Sequence, residues 1–162
     1  MALPNSGQLH NVMAGPRKGT AVTKLNGAMI LLVEDHHINQ MVAREILERA
    51  GMQVHIAVNG QEAVEVLNNR NIDYDAVLMD LQMPVMDGYE ATRLIRMDER
   101  HRELPIIAMT AHAMVDEIQK CLNTGMNDHV AKPIVPERLM AVLKKWIRIS
   151  DYQNTDSIKE LL

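Results

Sequence analysis

Met29-Ile-Leu-Leu-Val-Glu-Asp35 is the stretch that decides the fold. Five apolar residues in a row, without alternation, read as a strand covered on both faces, and two acids fall at its carboxyl end. The same pattern returns down the chain. Ala76-Val-Leu-Met79 runs into Asp80, Pro105 to Met109 runs into Thr110, and the short His129-Val-Ala131 runs into Lys132-Pro133. Gln53 to Val58 supplies a further short strand.

Helical spacing fills the gaps between these runs. Ile38, Met41, Val42, Ile46 and Ala50 form the expected inward stripe of a first helix, which Gly51 stops. Gln61 to Asn69 follows an Asn59-Gly60 turn, with Ala63, Val64, Val66 and Leu67 inward. Pro84 and Gly88 break the loop before a helix over Tyr89 to Arg96, and Gly125 closes another over Met114 to Leu122. Glu137 to Ile147 is the last helix, with Leu139, Val142, Leu143 and Trp146 on one face. Five strands alternating with five helices predict an α/β fold, a five-stranded parallel sheet with helices on both faces. The domain is expected over residues 28–148, after a linker-like lead-in at 1–27 and before a tail at 149–162. Ser157-Ile-Lys-Glu160 has capping-box spacing, which predicts a short helix starting in that tail.

Composition narrows the classes. The chain has 162 residues, 47% of them hydrophobic, enough for one sizeable core. No apolar run reaches membrane-spanning length, and no secretory signal opens the chain, which predicts a cytoplasmic domain without membrane contact of its own, free or as the cytoplasmic part of a membrane-bound protein. The single cysteine, Cys121, excludes an internal disulfide and an all-cysteine metal site. A net charge of −4 argues against nucleic acid as the partner, although Arg17, Lys18 and Lys24 make the lead-in basic. With no Phe and 13 Met, the core must be filled by Met and aliphatic side chains.

Open parallel sheets bind ligands beyond the carboxyl ends of their strands. Glu34, Asp35, Asp80, Thr110 and Lys132 all stand at such ends. Singly, an acid there is an ordinary helix cap and a lysine is ordinary solvated charge. Together they call for a cation. Carboxylates ~4 Å apart repel by about 4 kcal/mol per pair at an effective dielectric of about 20, and oxygen-only ligands select Mg²⁺.

Leu-Val-Glu-Asp at 32–35, Leu-Met-Asp-Leu-Gln-Met-Pro-Val-Met-Asp-Gly at 78–88, Met-Thr-Ala-His-Ala at 109–113 and Ala-Lys-Pro-Ile at 131–134 resemble the receiver domain of two-component response regulators. The wording is most similar to the receivers of hybrid histidine kinases. The resemblance implies a flavodoxin-like, CheY-like (βα)5 fold. It also implies a role in a phosphorelay, in which a histidine kinase or a histidine phosphotransfer domain is the partner. Asp80 is then the phosphoacceptor. Asp35 and Asp80 bind Mg²⁺ with the Gln82 carbonyl, and Glu34 holds a metal-bound water. Lys132 pairs with Asp80, Thr110 bonds the phosphoryl group, and Lys132-Pro133 is a cis peptide. A receiver of this kind catalyses its own phosphorylation and dephosphorylation and is a monomer or weak dimer. Two parents fit the resemblance: a hybrid kinase of which this chain is a fragment, which the basic lead-in and abrupt tail favour, or a free-standing regulator.

Three departures stand out: His36 replaces a common Asn, His129 replaces the switch aromatic, and Val135 offers no side-chain cap before Pro136. The competing readings are weaker. A haloacid-dehalogenase-like phosphatase needs Asp-x-Asp after its first strand, and a flavodoxin electron carrier needs a phosphate loop that Glu34-Asp35 would repel. A degenerate receiver that binds partners without phosphorylation is the remaining alternative.

Overall fold

The computed structural model describes residues 25–69 and 71–159, with side chains up to Ile147. Strands and helices alternate as β1 (Met29–Val33), α1 (His37–Arg49), β2 (Gln53–Ala57), α2 (Gly60–Asn68) and β3 (Ala76–Asp80). The chain continues as α3 (Gly88–Met97), β4 (Ile106–Thr110), α4 (Val115–Thr124), β5 (Asp128–Ala131) and α5 (Pro136–Lys159). A 3-10 turn at Glu99–His101 follows α3. All pairings are parallel, in the order β2-β1-β3-β4-β5. No described helix is long and apolar enough to cross a membrane.

The apolar strands are buried on both faces because successive side chains point to opposite sides of the sheet. On one side Ile30, Leu32, Leu78, Met109 and Val130 pack with Ala43 and Leu47 of α1 and Leu139 and Leu143 of α5. On the other, Leu31, Val33, Val77, Met79 and Ala108 meet Ala63 and Leu67 of α2, Ala91 and Ile95 of α3, and Cys121 of α4. Met52, Met79, Met86, Met109 and Met126 are buried, taking the volume that aromatic rings fill in other cores.

Four expectations need correction. Ile38, Met41 and Val42 are exposed rather than inward, whereas Ala43 and Leu47 are the buried residues of α1. The apolar stripe of that helix is wider than the face the sheet can cover. The core also begins earlier than Ala28. Leu25 is buried, and Gly27 N–H donates to the Gly51 carbonyl. Asn59-Gly60 is not a turn but the start of α2, where the Asn59 side chain accepts the Glu62 N–H at 2.8 Å. Finally, α5 runs past Ile147 to Lys159, because no Gly or Pro interrupts it, and Ser157 lies inside that helix rather than starting a new one. The basic lead-in up to Lys24 and the last three residues lie outside the described residues.

The carboxyl and amino ends of the sheet differ in character. At the amino end, the Arg96 guanidinium donates to the carbonyls of Gly125, His101 and Arg102 and to Asn127 Oδ1. Asn127 Oδ1 also accepts the Ile106 N–H, so α3, α4 and the starts of β4 and β5 are tied together. At the carboxyl end the chain leaves β1 for β2 on one side and returns as β3 on the other. That reversal opens the crevice in which the acids meet.

Candidate functional site

Register decides which side chains converge. Val33 pairs with Met79, so Glu34 and Asp80 emerge side by side, and Asp80 pairs with Met109, which places Thr110 one residue beyond it. Thr110 pairs with Ala131, which puts Lys132 just past the rim. The Lys132–Pro133 bond is cis.

Lys132 is the hub. Its Nζ lies 2.9 Å from Glu34 Oε2 and 3.0 Å from Asp80 Oδ1. Glu34 is 1% exposed and Asp80 6%, so both carboxylates depend on that ammonium. Burial pushes the Asp80 carboxyl up; the Lys132 hydrogen bond and charge pull it down, and the balance stays above its ordinary value. Burial lowers Lys132, but its bonds to Glu34 and Asp80 outweigh this and hold it above the usual lysine range. The pairing of Lys132 with Asp80 was legible in sequence. Its direct contact with Glu34 was not, since only the register between β1 and β3 brings Glu34 to the same ammonium.

The remaining groups surround this bridge. Glu34 Oε1 accepts the His36 N–H at 3.0 Å, and the Gln40 amide donates to the Glu34 carbonyl at 2.7 Å. Gln82 N–H approaches Asp80 Oδ1 at 3.4 Å. Burial pushes the Asp35 carboxyl up, but the neighbouring His36 imidazole more than offsets this, and it sits below its usual range. Among the described residues, two buried side-chain oxygens have no hydrogen-bond partner: Asp35 Oδ1 and Thr110 Oγ1. Both belong to the predicted site. An orphaned carboxylate oxygen beside two further carboxylates is what a hard divalent cation fits, and an orphaned hydroxyl is what a phosphoryl oxygen fits. His36, Asn39, Asp80, Gln82, Ala111, His112, Glu117 and Lys132 are among the lining residues of a cleft of about 270 Å³ over Asp80. Sequence reading passed over Asn39, His112 and Glu117, which carry no signal of their own.

The loop that carries Gln82 is held in a tight shape. Met86 N–H donates to the Pro84 carbonyl at 2.8 Å, a three-residue turn whose central Val85 takes φ 70°. A β-branched residue there costs on the order of 1–3 kcal/mol. Gly60 N–H to Met86 O and Gly88 N–H to Leu81 O, both 3.0 Å, hold that strained turn in place.

His129 is half-buried on β5, opposite Ala108, with Nδ1 3.6 Å from Asp128 Oδ1. By strand period it shares a sheet face with Thr110.

The orphaned hydroxyl makes a prediction of its own. Thr110→Val keeps the shape and removes an unsatisfied buried group, so it should stabilise the unmodified domain by about 1–3 kcal/mol in urea unfolding. A variant less stable than wild type would show that the hydroxyl is satisfied in solution.

The chain matches the response regulator receiver domain family over residues 30–144. It belongs to that family. Hybrid signal transduction histidine kinase I of Dictyostelium discoideum is 34% identical over 96% of this chain, which spans only 10% of that protein. Among solved structures, the magnesium-bound receiver domain of the sensor histidine kinase PA1611 from Pseudomonas aeruginosa PAO1 is 45% identical. The match covers 75% of this chain and 98% of that one, with a TM-score of 0.69. That structure holds its magnesium ion in the active-site cleft. The Saccharomyces cerevisiae co-crystal of the histidine phosphotransfer protein Ypd1 with the Ssk1 receiver domain matches at 30% identity. It covers 77% of this chain and 92% of that one, with a TM-score of 0.71. The chain is a receiver domain of two-component phosphorelay signalling with the CheY-like, flavodoxin-like fold.

Proposed function

We propose that this receiver takes a phosphoryl group from a phosphohistidine of a partner protein onto Asp80. The observation that carries the reading is the Lys132 bridge, 2.9 and 3.0 Å from Glu34 and Asp80, flanked by the two orphaned oxygens. Lys132 and Gln82 both engage Asp80 Oδ1, which leaves Oδ2 as the attacking oxygen. The Oδ2–P bond forms as the P–N bond breaks, and the departing imidazole nitrogen takes up a proton. Phosphoryl transfer has a loose transition state, so the protein's part is positioning and charge neutralisation. The carboxylates of Asp35 and Asp80 and the Gln82 carbonyl would hold Mg²⁺, with Glu34 on a bound water. When bound, the ion supplies neutralising charge to the phosphoryl oxygens. Lys132 orients Asp80 beforehand and balances the oxygens afterwards. Thr110 Oγ1, with no partner in the unmodified domain, then donates to a phosphoryl oxygen. Its inward movement, with His129 on the same sheet face, changes the surface offered to partners.

A protein donor fits the rim. Ile38 is 75% exposed just after Asp35, Val85 is 80% exposed in the loop after Asp80, and Val42 lines a hollow with Glu34 and Lys132. A histidine kinase or a histidine phosphotransfer domain would cover the rim. Within a longer chain, this domain would be the receiver of a hybrid histidine kinase, working in the cytoplasm. The complete set of Asp35, Asp80, Thr110 and Lys132 favours this over a degenerate, phosphorylation-independent binding module.

Acetyl phosphate with Mg²⁺ tests the reading. Intact-protein mass spectrometry should show one added phosphoryl group in wild type and none in Asp80→Asn. Equal labelling of the variant would remove Asp80 from the role, and an unlabelled wild type would leave the degenerate module.

A further inference from the structure

The acidic pocket carries a donor that an oxygen-only site does not use. His36 Nδ1 lies 3.1 Å from Asp35 Oδ1 and 3.9 Å from Glu34 Oε1. Ligand atoms of Glu34, Asp35 and His36 all fall within 4.8 Å of one another. Two metal–ligand bonds of ~2.1 Å can join donors up to about 4.2 Å apart, and at ordinary coordination angles space them by about 3.0–3.4 Å. The 3.1 Å separation falls in that range, and the 3.9 Å one stays under the upper limit, so a small turn of the exposed His36 ring completes the set.

Several features leave these atoms available to an ion. Asp35 Oδ1 is buried with no hydrogen-bond partner, so the 3.1 Å approach of His36 lacks hydrogen-bond alignment. Glu34 Oε1 is fixed by the His36 N–H, while Oε2 is taken by Lys132. His36 itself is 72% exposed at the mouth, so its ring can settle on an ion without disturbing the core. Lys132 meanwhile holds Asp80 Oδ1.

We propose that Glu34, Asp35 and His36 form a second, nitrogen-supplemented way of holding a divalent ion in this cleft, selective for borderline metals of the Zn²⁺ and Co²⁺ class. Imidazole suits such ions, whereas Mg²⁺ takes oxygen ligands and keeps its waters. The inference rests on the phosphoryl-acceptor reading only through Asp35, which both arrangements need. The two ions therefore exclude each other, and a Zn²⁺ ion on His36 withholds Asp35 from Asp80. His36 becomes the residue that decides which metals the receiver tolerates.

The test uses the metals alone. Zn²⁺, Co²⁺ and Mg²⁺ are titrated calorimetrically into metal-free wild type, His36→Asn and Asp35→Asn, and ring ¹⁵N resonances of His36 are followed with Zn²⁺. Wild type should bind Zn²⁺ more tightly than Mg²⁺. The Zn²⁺ affinity should fall by about ten-fold or more in each variant, while His36→Asn changes Mg²⁺ affinity far less. The His36 Nδ1 resonance should move on Zn²⁺ addition. Zn²⁺ binding that survives Asp35→Asn would sit on imidazoles elsewhere and overturn the proposal, as would an unchanged Zn²⁺-to-Mg²⁺ ratio in His36→Asn or a silent His36 ring. Mg²⁺-dependent acetyl phosphate labelling of wild type is read alongside. Labelling without the zinc preference sinks this inference alone, and the zinc preference without labelling sinks the phosphoryl-acceptor reading alone.

Discussion

Lys132→Met is expected to cost about 3–5 kcal/mol of stability in metal-free buffer at neutral pH, and to abolish labelling of Asp80 by acetyl phosphate. The substitution keeps the aliphatic stem but strips the ammonium from between Glu34 and Asp80, both buried. Two carboxylates would then face each other without a cation. The pH response should steepen in the carboxylate range accordingly. In wild type, Lys132 titrates above its ordinary value, so the stability it contributes is complete below that ordinary value and is lost only as pH rises through the elevated one. Asp80 also titrates above its ordinary value, so ionising it weakens the fold as pH rises from the ordinary carboxylate pKa through the raised one. Without Lys132 that second effect grows, and the variant should regain stability on mild acidification and on adding Mg²⁺. Urea unfolding at several pH values, with and without the ion, measures both. A variant as stable as wild type at neutral pH without metal would mean that the bridge is not what holds the two acids.

Gly88→Ala should be the most damaging one-carbon change in the domain. An added Cβ would stand 2.2 Å from the Asp80 carbonyl oxygen and 3.0 Å from Met79 Cγ. The first neighbour is backbone at the end of a central strand, so α3 or the Asp80 peptide must move. Overpacking of this kind reaches the upper end of about 1–3 kcal/mol and can exceed it. A fall of about 10 °C in Tm is expected, together with slower labelling, because the displaced peptide carries Asp80, the proposed acceptor. Gly27→Ala is the control, since nothing lies within 4 Å of its Cβ and only its φ of 85° opposes the change. Equal losses in the two variants would show that the close approach at Gly88 is not rigid in solution.

Most of the sheet was legible because a strand buried on both faces leaves an uninterrupted apolar run, and the runs of β1, β3, β4 and β5 each lead into a candidate site residue. Asp80 and Thr110 could be placed from that rule before any geometry was known. What sequence periodicity could not show was which side of a wide apolar helix meets the sheet. Ile38, Met41 and Val42 obey helical spacing as well as Ala43 and Leu47 do, and packing alone decided between them. The contact of Lys132 with Glu34 was hidden for a different reason. It spans residues 98 apart and exists only because β1 and β3 are neighbours. The acids predicted a cation; the strand order decided that a lysine reaches two of them at once. The extent of α5 escaped because helix stops are read from Gly and Pro, and a stop was expected at Ile147 where neither stands.

The Arg96 clasp at the amino end of the sheet has a mechanical meaning. It grips the Gly125 carbonyl, at the carboxyl end of α4, while the amino end of that helix begins at Met114 without a side-chain cap and with Val115 exposed. A helix tied by side-chain bonds at one end and uncapped at the other can act as a lever, with its fulcrum at Gly125. Thr110 stands a few residues before the loose end, so a pull there is applied at the longest arm. Were Thr110 drawn toward Asp80 as proposed above, a small displacement there would become a tilt of the α4 face about its anchored end.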